Sequence, residues 1–242
     1  MTAEISPRKV GRYVGGLFLL TILGGVFAQA FVADRLIDFS DAGKTAANVL
    51  GNKDLLRTGF AVYLIEMTSQ LTTAALWYVL LRPVNRPLAL TAAFIELAGC
   101  IVKTFARVFF IAPLYVLTAG ETGSVTAHAV SGFSVEQLQS VALILFRVGD
   151  DGAATAMALF GFSTFLNGYL VFRSEFLPRF LGVLGMLCGL CWLLYLYPPV
   201  GRQAFVFTAP IGLITSILMI VWLLAGWLKE DVWHERAAAL RS

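Results

Sequence analysis

Six long apolar blocks dominate the sequence and constrain its fold more than any other feature. The blocks cover residues 10–33, 57–81, 88–118, 150–172, 180–198 and 204–228. A helix needs roughly 20 mainly apolar residues to cross the hydrocarbon core of a bilayer, and each block reaches or approaches that length. Only 14% of the residues are charged, against about 25% in a soluble domain. We therefore predict an all-α integral membrane protein, a six-helix transmembrane bundle that forms a single transmembrane domain over residues 1–242.

The loops on one side of this bundle carry helix-start signals of their own. In the loop 34–56, Ser40 and Asp41 precede a short apolar pattern, and both are residue types that cap helix N-termini. In the loop 119–149, Ser134 and Gln137 have the spacing of a capping box. These patterns predict short outer helices that lie at the membrane interface.

The sequence Gly149-Asp150-Asp151-Gly152 interrupts the apolar pattern of the fourth block. A helix that began at Ser134 and ended at Phe172 would be much longer than one span. We therefore expect either a bend at Gly149–Gly152 or a separate interfacial segment over Val135–Val148.

The distribution of basic residues predicts the orientation of the bundle, because cytoplasmic loops of membrane proteins are enriched in Lys and Arg. With six crossings, one side holds Arg8, Lys9, Arg12, Arg82, Arg86, Arg173, Arg179, Lys229, Arg236 and Arg241. The other side holds Arg35, Lys44, Lys53, Arg57 and Arg202. This asymmetry predicts a protein of the bacterial cytoplasmic (inner) membrane with both termini in the cytoplasm.

Several polar side chains lie within or beside the apolar blocks, where a charge is costly and must find a partner or water. Glu96, Lys103 and Arg107 share one helical stripe, and Glu66 and Gln70 share another. The full set of ligand-binding candidates is Glu66, Gln70, Glu96, Lys103, Arg107, Arg147, Asp150 and Asp151. We expect Glu66, Glu96, Lys103 and Arg107 to line one polar cavity that opens outward. The alternative is that these charges pair only to fix helix packing.

Other motifs give no catalytic residue, cofactor or metal site. Cys188 and Cys191 form a C-x-x-C pair inside an apolar block, where small-residue packing is the favoured interpretation. The two histidines, His128 and His234, lie outside the blocks, which argues against haem or zinc in the membrane. No basic run interleaved with aromatic residues suggests nucleic-acid binding. The predicted partner is the lipid bilayer, with a homo-oligomer through glycine-rich helices as a further hypothesis.

Four segments of the chain carry a family resemblance. They are Thr45-Ala-Ala-Asn-Val-Leu50 with Leu55-Leu-Arg-Thr-Gly-Phe60, Leu80-Leu-Arg-Pro-Val-Asn-Arg-Pro-Leu-Ala-Leu90, Phe160-Gly161 with Gly168-Tyr-Leu-Val-Phe-Arg-Ser174, and Phe176-Leu-Pro-Arg-Phe-Leu-Gly-Val-Leu184. On these segments the chain resembles the DUF4386 family of uncharacterised bacterial membrane proteins. Similar proteins often carry Arg where this chain has Glu96 and His where it has Ser163. The resemblance implies an architecture and supplies no mechanism.

Three classes of function fit these observations. The leading hypothesis is a binding or transport protein whose outward-opening polar cavity takes a small charged solute or a lipid headgroup. The alternative is a membrane enzyme that acts at the outer leaflet by carboxylate acid–base chemistry, with Asp150, Asp151 or Glu66 as the base. A structural or regulatory membrane protein is the third. The mixed charges of the site residues motivate the binding hypothesis. Nucleophilic catalysis by a serine with Lys103 as its base stays open as a minor alternative.

Overall fold

A computed structural model describes residues 6–119 and 132–239 of the chain. Within these residues the protein is helical and contains no strand. The α-helices are α1 (Pro7–Val26), α2 (Asp34–Leu36), α3 (Ala42–Gly51), α4 (Lys53–Leu81), α5 (Arg86–Leu117), α6 (Val135–Ser174), α7 (Arg179–Leu193), α8 (Pro198–Ala225) and α9 (Glu230–Ala239). A π-helix over Phe27–Ala33 joins α1 to α2, and a 3₁₀ turn over Leu194–Leu196 ends α7.

Five helical segments among the described residues are long and apolar enough to cross a membrane. They are Pro7–Leu36, Arg86–Leu117, Val135–Ser174, Arg179–Leu196 and Pro198–Ala225. Their outward-facing residues are apolar as well: Val206 and Phe207 on α8 are 73% and 75% exposed. Apolar surface on this scale suits lipid rather than water. These are the features of a multi-pass membrane protein.

Helix α4 has 29 residues but falls outside this set of five. Its centre is rich in polar side chains, among them Glu66, Ser69, Gln70 and Thr73, which lower its hydropathy. The five apolar spans therefore match five of the six predicted blocks. Their ends differ from the predicted ones by a few residues, except that α6 begins at Val135, well before the fourth block at residue 150. The sixth crossing, by the second block, stays a prediction.

The packing of the described residues divides them into two compact units. The first contains residues up to Thr21, Thr68–Ile101 and Ala154 onward, and the second contains Ile22–Met67 and Val102–Ala153. Each unit has its own core. Leu80, Leu170 and Leu181 are fully buried in the first, and Val32, Leu36 and Leu56 in the second. The single transmembrane domain over 1–242 stays a prediction.

Of the two alternatives predicted at Gly149–Gly152, the separate segment is wrong and the bend stays a prediction. Helix α6 runs without interruption from Val135 to Ser174, so Val135–Val148 is not a separate segment. The glycines serve close packing: a Cβ at Gly152 would lie 2.8 Å from the Ala106 Cβ, and one at Gly149 would lie 3.0 Å from the Ala106 carbonyl oxygen. They let α5 and α6 approach each other, and glycine at such a position does not end a helix that is held by its neighbours.

Both predicted helix caps are confirmed. The Asp41 carboxylate accepts a hydrogen bond from the Lys44 backbone N–H at 2.8 Å and starts α3. At the start of α6, the Ser134 N–H donates to Gln137 Oε1 at 2.8 Å, and the Gln137 N–H donates to Ser134 Oγ at 3.3 Å. This reciprocal pair is a capping box.

Glycines of α6 and α7 bring the two backbones into contact within the first unit. A Cβ at Gly168 would lie 2.5 Å from the Met186 backbone nitrogen, and one at Gly182 would collide with the Phe172 backbone. On α1, a Cβ at Gly15 would lie 3.1 Å from Leu224. The glycines that prompted the homo-oligomer hypothesis thus pack against helices of the same chain, and the oligomer stays a prediction.

Candidate functional site

A cavity of ≈ 100 Å³ lies in the second unit and contains two of the predicted site residues, Arg107 and Asp150. The complete lining is Gln29, Ala33, Asp34, Ile37, Phe39, Tyr63, Arg107, Phe110, Phe146, Gly149 and Asp150. We call it the Arg107 cavity. Its wall combines one cationic side chain, two carboxylates, an amide and several aromatic rings.

Arg107 is held in this cavity by an aromatic ring. Its guanidinium carbon lies 3.4 Å from the centroid of the Tyr63 ring, a cation–π contact that strengthens when water is excluded. Arg107 is 8% exposed, and its buried Nε–H donates to no acceptor among the described residues. No carboxylate of the described residues forms an ion pair with it. The cavity thus contains a buried cation with unused hydrogen-bonding capacity.

A chain of hydrogen bonds connects Tyr63 to the first helical segment. The Tyr63 hydroxyl donates to Gln29 Oε1 at 3.1 Å, and Gln29 Nε2 donates to Asp34 Oδ1 at 2.7 Å. Edge-to-face contacts of Phe110 with Tyr63 and with Phe146 fix the rings around the cavity. Each polar group is thus oriented by its neighbour, so contacts within the protein fix the shape of the cavity wall.

The π-helix Phe27–Ala33 supplies Gln29 and Ala33 to the cavity wall. A π-helical turn holds more residues than an α-helical turn, so it changes which side chains face inward, and such segments are frequent at functional sites. The helix approaches Glu66 closely just before this segment, where a Cβ at Gly25 would lie 3.2 Å from Glu66 Oε1.

Glu66 and Lys103 form a buried ion pair in the same unit. Lys103 Nζ lies 2.6 Å from Glu66 Oε1, and the two side chains are 13% and 5% exposed respectively. The second oxygen, Glu66 Oε2, has no hydrogen-bond partner among the described residues. Both residues were predicted from the sequence as ligand-binding candidates, and the structure places them in contact with each other. Neither is among the residues that line the Arg107 cavity.

Glu96 and Gln70 come together in the first unit, with a serine as the third member of the cluster. Gln70 Nε2 donates to Glu96 Oε1, and Ser163 Oγ donates to Glu96 Oε2. Glu96 is buried and Ser163 is fully buried. Helices α4, α5 and α6 each contribute one side chain, so this cluster links three helices through a single carboxyl group.

The remaining candidates are more exposed. The Arg147 guanidinium carbon lies 3.9 Å from the centroid of Phe39, a cavity residue, while Asp151 is exposed on the next turn of α6. The four residues expected to line one cavity, Glu66, Glu96, Lys103 and Arg107, therefore take part in three different local contacts. Their shared cavity stays a prediction, as does the ligand-binding role of each candidate.

Among the cavity residues that sequence reasoning missed, three carry polar groups: Gln29, Asp34 and Tyr63. Gln29 could have been found, because it is the one amide side chain in the first apolar block. Tyr63 carries no such signal, since aromatic residues are common in membrane helices. Asp34 lies at the end of the block and reads as an ordinary loop residue.

Outside the spans, one carboxylate near this region is strongly perturbed. Hydrogen bonds from Ser40 and Lys44 to Asp38 lower the pKa of that carboxyl to about 2. The Asp38–Lys44 contact, at 2.9 Å, is exposed. It keeps Asp38 ionised at neutral pH and orders the turn that precedes α3.

Comparison with known proteins places the chain in a family. No curated protein and no solved structure matches it. One family model matches residues 13–227, which is most of the chain, and it is described as a domain of unknown function, DUF4386. All four segments on which the sequence resembles this family lie within the matched residues. The chain belongs to the DUF4386 family.

Proposed function

We propose that the protein binds a small charged solute or a lipid headgroup in the Arg107 cavity, as a membrane-embedded binding or transport protein. The observation that carries this proposal is the buried Arg107 guanidinium, which lies against Tyr63 and leaves its Nε–H without an acceptor among the described residues. Leaving a buried donor unpaired costs about 1–3 kcal/mol, and more when the group is charged. An anionic group in the cavity would remove that cost.

The geometry favours binding over simple helix packing for this residue. A purely structural arginine is normally paired with a carboxylate, as Lys103 is with Glu66. Arg107 instead borders a cavity of ≈ 100 Å³, which holds several waters or a small ligand. A guanidinium fixed in one plane can also bind a carboxylate or phosphate through two parallel hydrogen bonds.

The test is untargeted mass spectrometry of small molecules and lipids that co-purify with wild type and with Arg107→Gln. We expect at least one charged compound to be enriched on wild type by about tenfold or more, because a charge-assisted hydrogen bond contributes roughly 1.5–3 kcal/mol. Arg57→Gln is the matched control, since Arg57 lies on α4 in an exposed ion pair with Asp54 at 3.0 Å. Identical ligand profiles for all three proteins would overturn the proposal.

We also propose six crossings, with the polar helix α4 as the sixth. The chain ends support this topology, because Ser6 Oγ donates to Glu230 Oε1 at 2.9 Å and Arg8 pairs with Glu230 at 3.4 Å. The start of α1 and the segment after α8 therefore lie together, on one side of the membrane. Because both of these segments lie on the same side, the chain between them must cross the membrane an even number of times. A sixth helix must therefore cross in addition to the five apolar spans.

Helix α4 meets this requirement in length and in position. Its 29 residues extend about 40 Å at a rise of roughly 1.5 Å per residue. Its C-terminal end lies beside the chain termini, where Trp233 Nε1 donates to the Leu80 carbonyl at 2.9 Å. The opposite end then lies across the membrane. The excess of Lys and Arg around the termini assigns their side to the cytoplasm of a bacterial inner membrane.

Alkaline phosphatase fusions test this topology directly, because the enzyme is active only outside the cytoplasm. We expect activity for a fusion after Gly51 and none for fusions after Asn85 or Ser174. The fusion after Asn85 is decisive, since it is cytoplasmic only if α4 crosses the membrane. High activity at Asn85 would show that α4 does not cross.

A further inference from the structure

The charges around the Arg107 cavity differ in burial. Arg107 is 8% exposed, whereas Asp150 is partly buried and Asp34 is exposed. All three line the same cavity. Arg107 is therefore the most buried of the three charged residues, and Asp34 is the most exposed.

This arrangement discriminates among classes of ligand. A simple anion is attracted by Arg107 but repelled by the two carboxylates. A simple cation is attracted by the carboxylates but repelled by Arg107. A molecule with both charges can place its anionic group on Arg107 and its cationic group on the carboxylates. Asp34 and Asp150 accept hydrogen bonds, so they favour a cationic group that can donate them, which a primary ammonium does and a quaternary one does not.

The size of the cavity limits the occupant further. An apolar cavity of about 150 Å³ holds one benzene molecule, which has six non-hydrogen atoms, so ≈ 100 Å³ corresponds to roughly four non-hydrogen atoms on the same scale. Glycine is close to this size, as is the ammonium-bearing end of a phosphatidylethanolamine headgroup. In each of them a primary ammonium is separated from an oxyanion by a short carbon chain.

We infer that the Arg107 cavity binds a zwitterion, with its oxyanion on Arg107 and its primary ammonium between Asp34 and Asp150. This inference rests on the function proposed above. Gln29 lies between these two ends of the site, because it contacts both Tyr63 and Asp34. The same chemistry is found in a free amino acid and in an ethanolamine headgroup. Their common feature is the pairing of a primary ammonium with an oxyanion.

The experiment measures thermal unfolding of the protein in phosphatidylcholine nanodiscs with glycine, acetate, methylammonium or glycine betaine at equal concentration. A ligand that binds only the folded protein raises the unfolding midpoint. We expect glycine to raise it most. The rise should be lost in Arg107→Gln and in Asp34→Asn and kept in Arg57→Gln. Asp34 is exposed, so Asp34→Asn tests the site even if Arg107→Gln does not fold.

A second arm distinguishes the free solute from the lipid. If the occupant is a headgroup, nanodiscs that contain phosphatidylethanolamine raise the midpoint of wild type but not of Asp34→Asn, and glycine adds nothing further. Acetate or methylammonium acting as strongly as glycine would overturn the zwitterion inference and leave charged-ligand binding intact. If glycine betaine raises the midpoint as much as glycine does, the inference that the ligand carries a primary ammonium is overturned. If no solute and no lipid shifts the midpoint, and mass spectrometry finds no bound compound, the proposed function falls as well.

Discussion

Replacing Lys103 with methionine is expected to destabilise the protein by about 3–5 kcal/mol, the cost of leaving a buried charge without its partner. Glu66 is 5% exposed at its side chain, and its Oε1 depends on Lys103 Nζ at 2.6 Å. The other oxygen accepts no hydrogen bond from the described residues. Once Lys103 is removed, the carboxylate has lost the one ion pair that the structure shows for it. Unfolding in detergent, followed by tryptophan fluorescence, measures the effect.

Two further variants decide whether the pairing is the cause. In Lys103→Met with Glu66→Gln, both charges are absent, and we expect most of the lost stability to return because neutral replacements of a buried pair are often tolerated. Lys44→Met is the matched control, since it removes a lysine from the exposed Asp38–Lys44 pair. If Lys103→Met is no more harmful than Lys44→Met, the pair does not stabilise the fold.

Alanine at Gly168 or Gly182 is expected to separate α6 from α7. The added Cβ would lie 2.5 Å from the Met186 nitrogen in the first case and collide with the Phe172 backbone in the second. Both neighbours are backbone atoms, so no side-chain rotation relieves the contact. Overpacking typically costs about 1–3 kcal/mol and occasionally more, and backbone collisions put these two sites at the upper end. The measurement is the unfolding midpoint in detergent.

Gly16→Ala provides the control for these substitutions. Gly16 lies inside α1, and a Cβ there meets nothing within 4 Å. Alanine has a higher helix propensity than glycine by roughly 1 kcal/mol, so we expect a neutral or slightly stabilised protein. Equal losses at Gly16, Gly168 and Gly182 would mean that helix contact does not explain the glycines.

The sequence predicted the helices well because hydrophobic length is a direct consequence of bilayer thickness. It was wrong about a separate segment over Val135–Val148, because α6 continues through Gly149–Gly152. The reason is tertiary: Gly149 and Gly152 lie against Ala106, and that contact cannot be recognised from the fourth block alone. Local propensity predicts which secondary structure a segment prefers, and here packing against α5 determines which one forms.

The candidate site was only partly predictable, for a related reason. The cost of burying charge predicted that Glu66, Lys103 and Arg107 need partners, and two of them do contact each other. It did not predict that Arg107 would use the Tyr63 ring, because a neutral aromatic residue in an apolar block gives no sign of a polar role. Gln29 lies in the π-helix and Asp34 directly follows it. The register of this segment departs from the α-helical period by which residues on one face are predicted from a sequence.

The π-helix Phe27–Ala33 makes helical register, as well as residue identity, a determinant of the cavity wall. Each residue of an α-helix turns the chain by about 100°. Gln29 and Asp34 are five residues apart, so in an unbroken α-helix their side chains would point about 140° away from each other. In this protein they meet, and Gln29 Nε2 donates to Asp34 Oδ1 at 2.7 Å. Two relatives with the same polar residues here, one π-helical and one α-helical, would therefore present different groups to the Arg107 cavity.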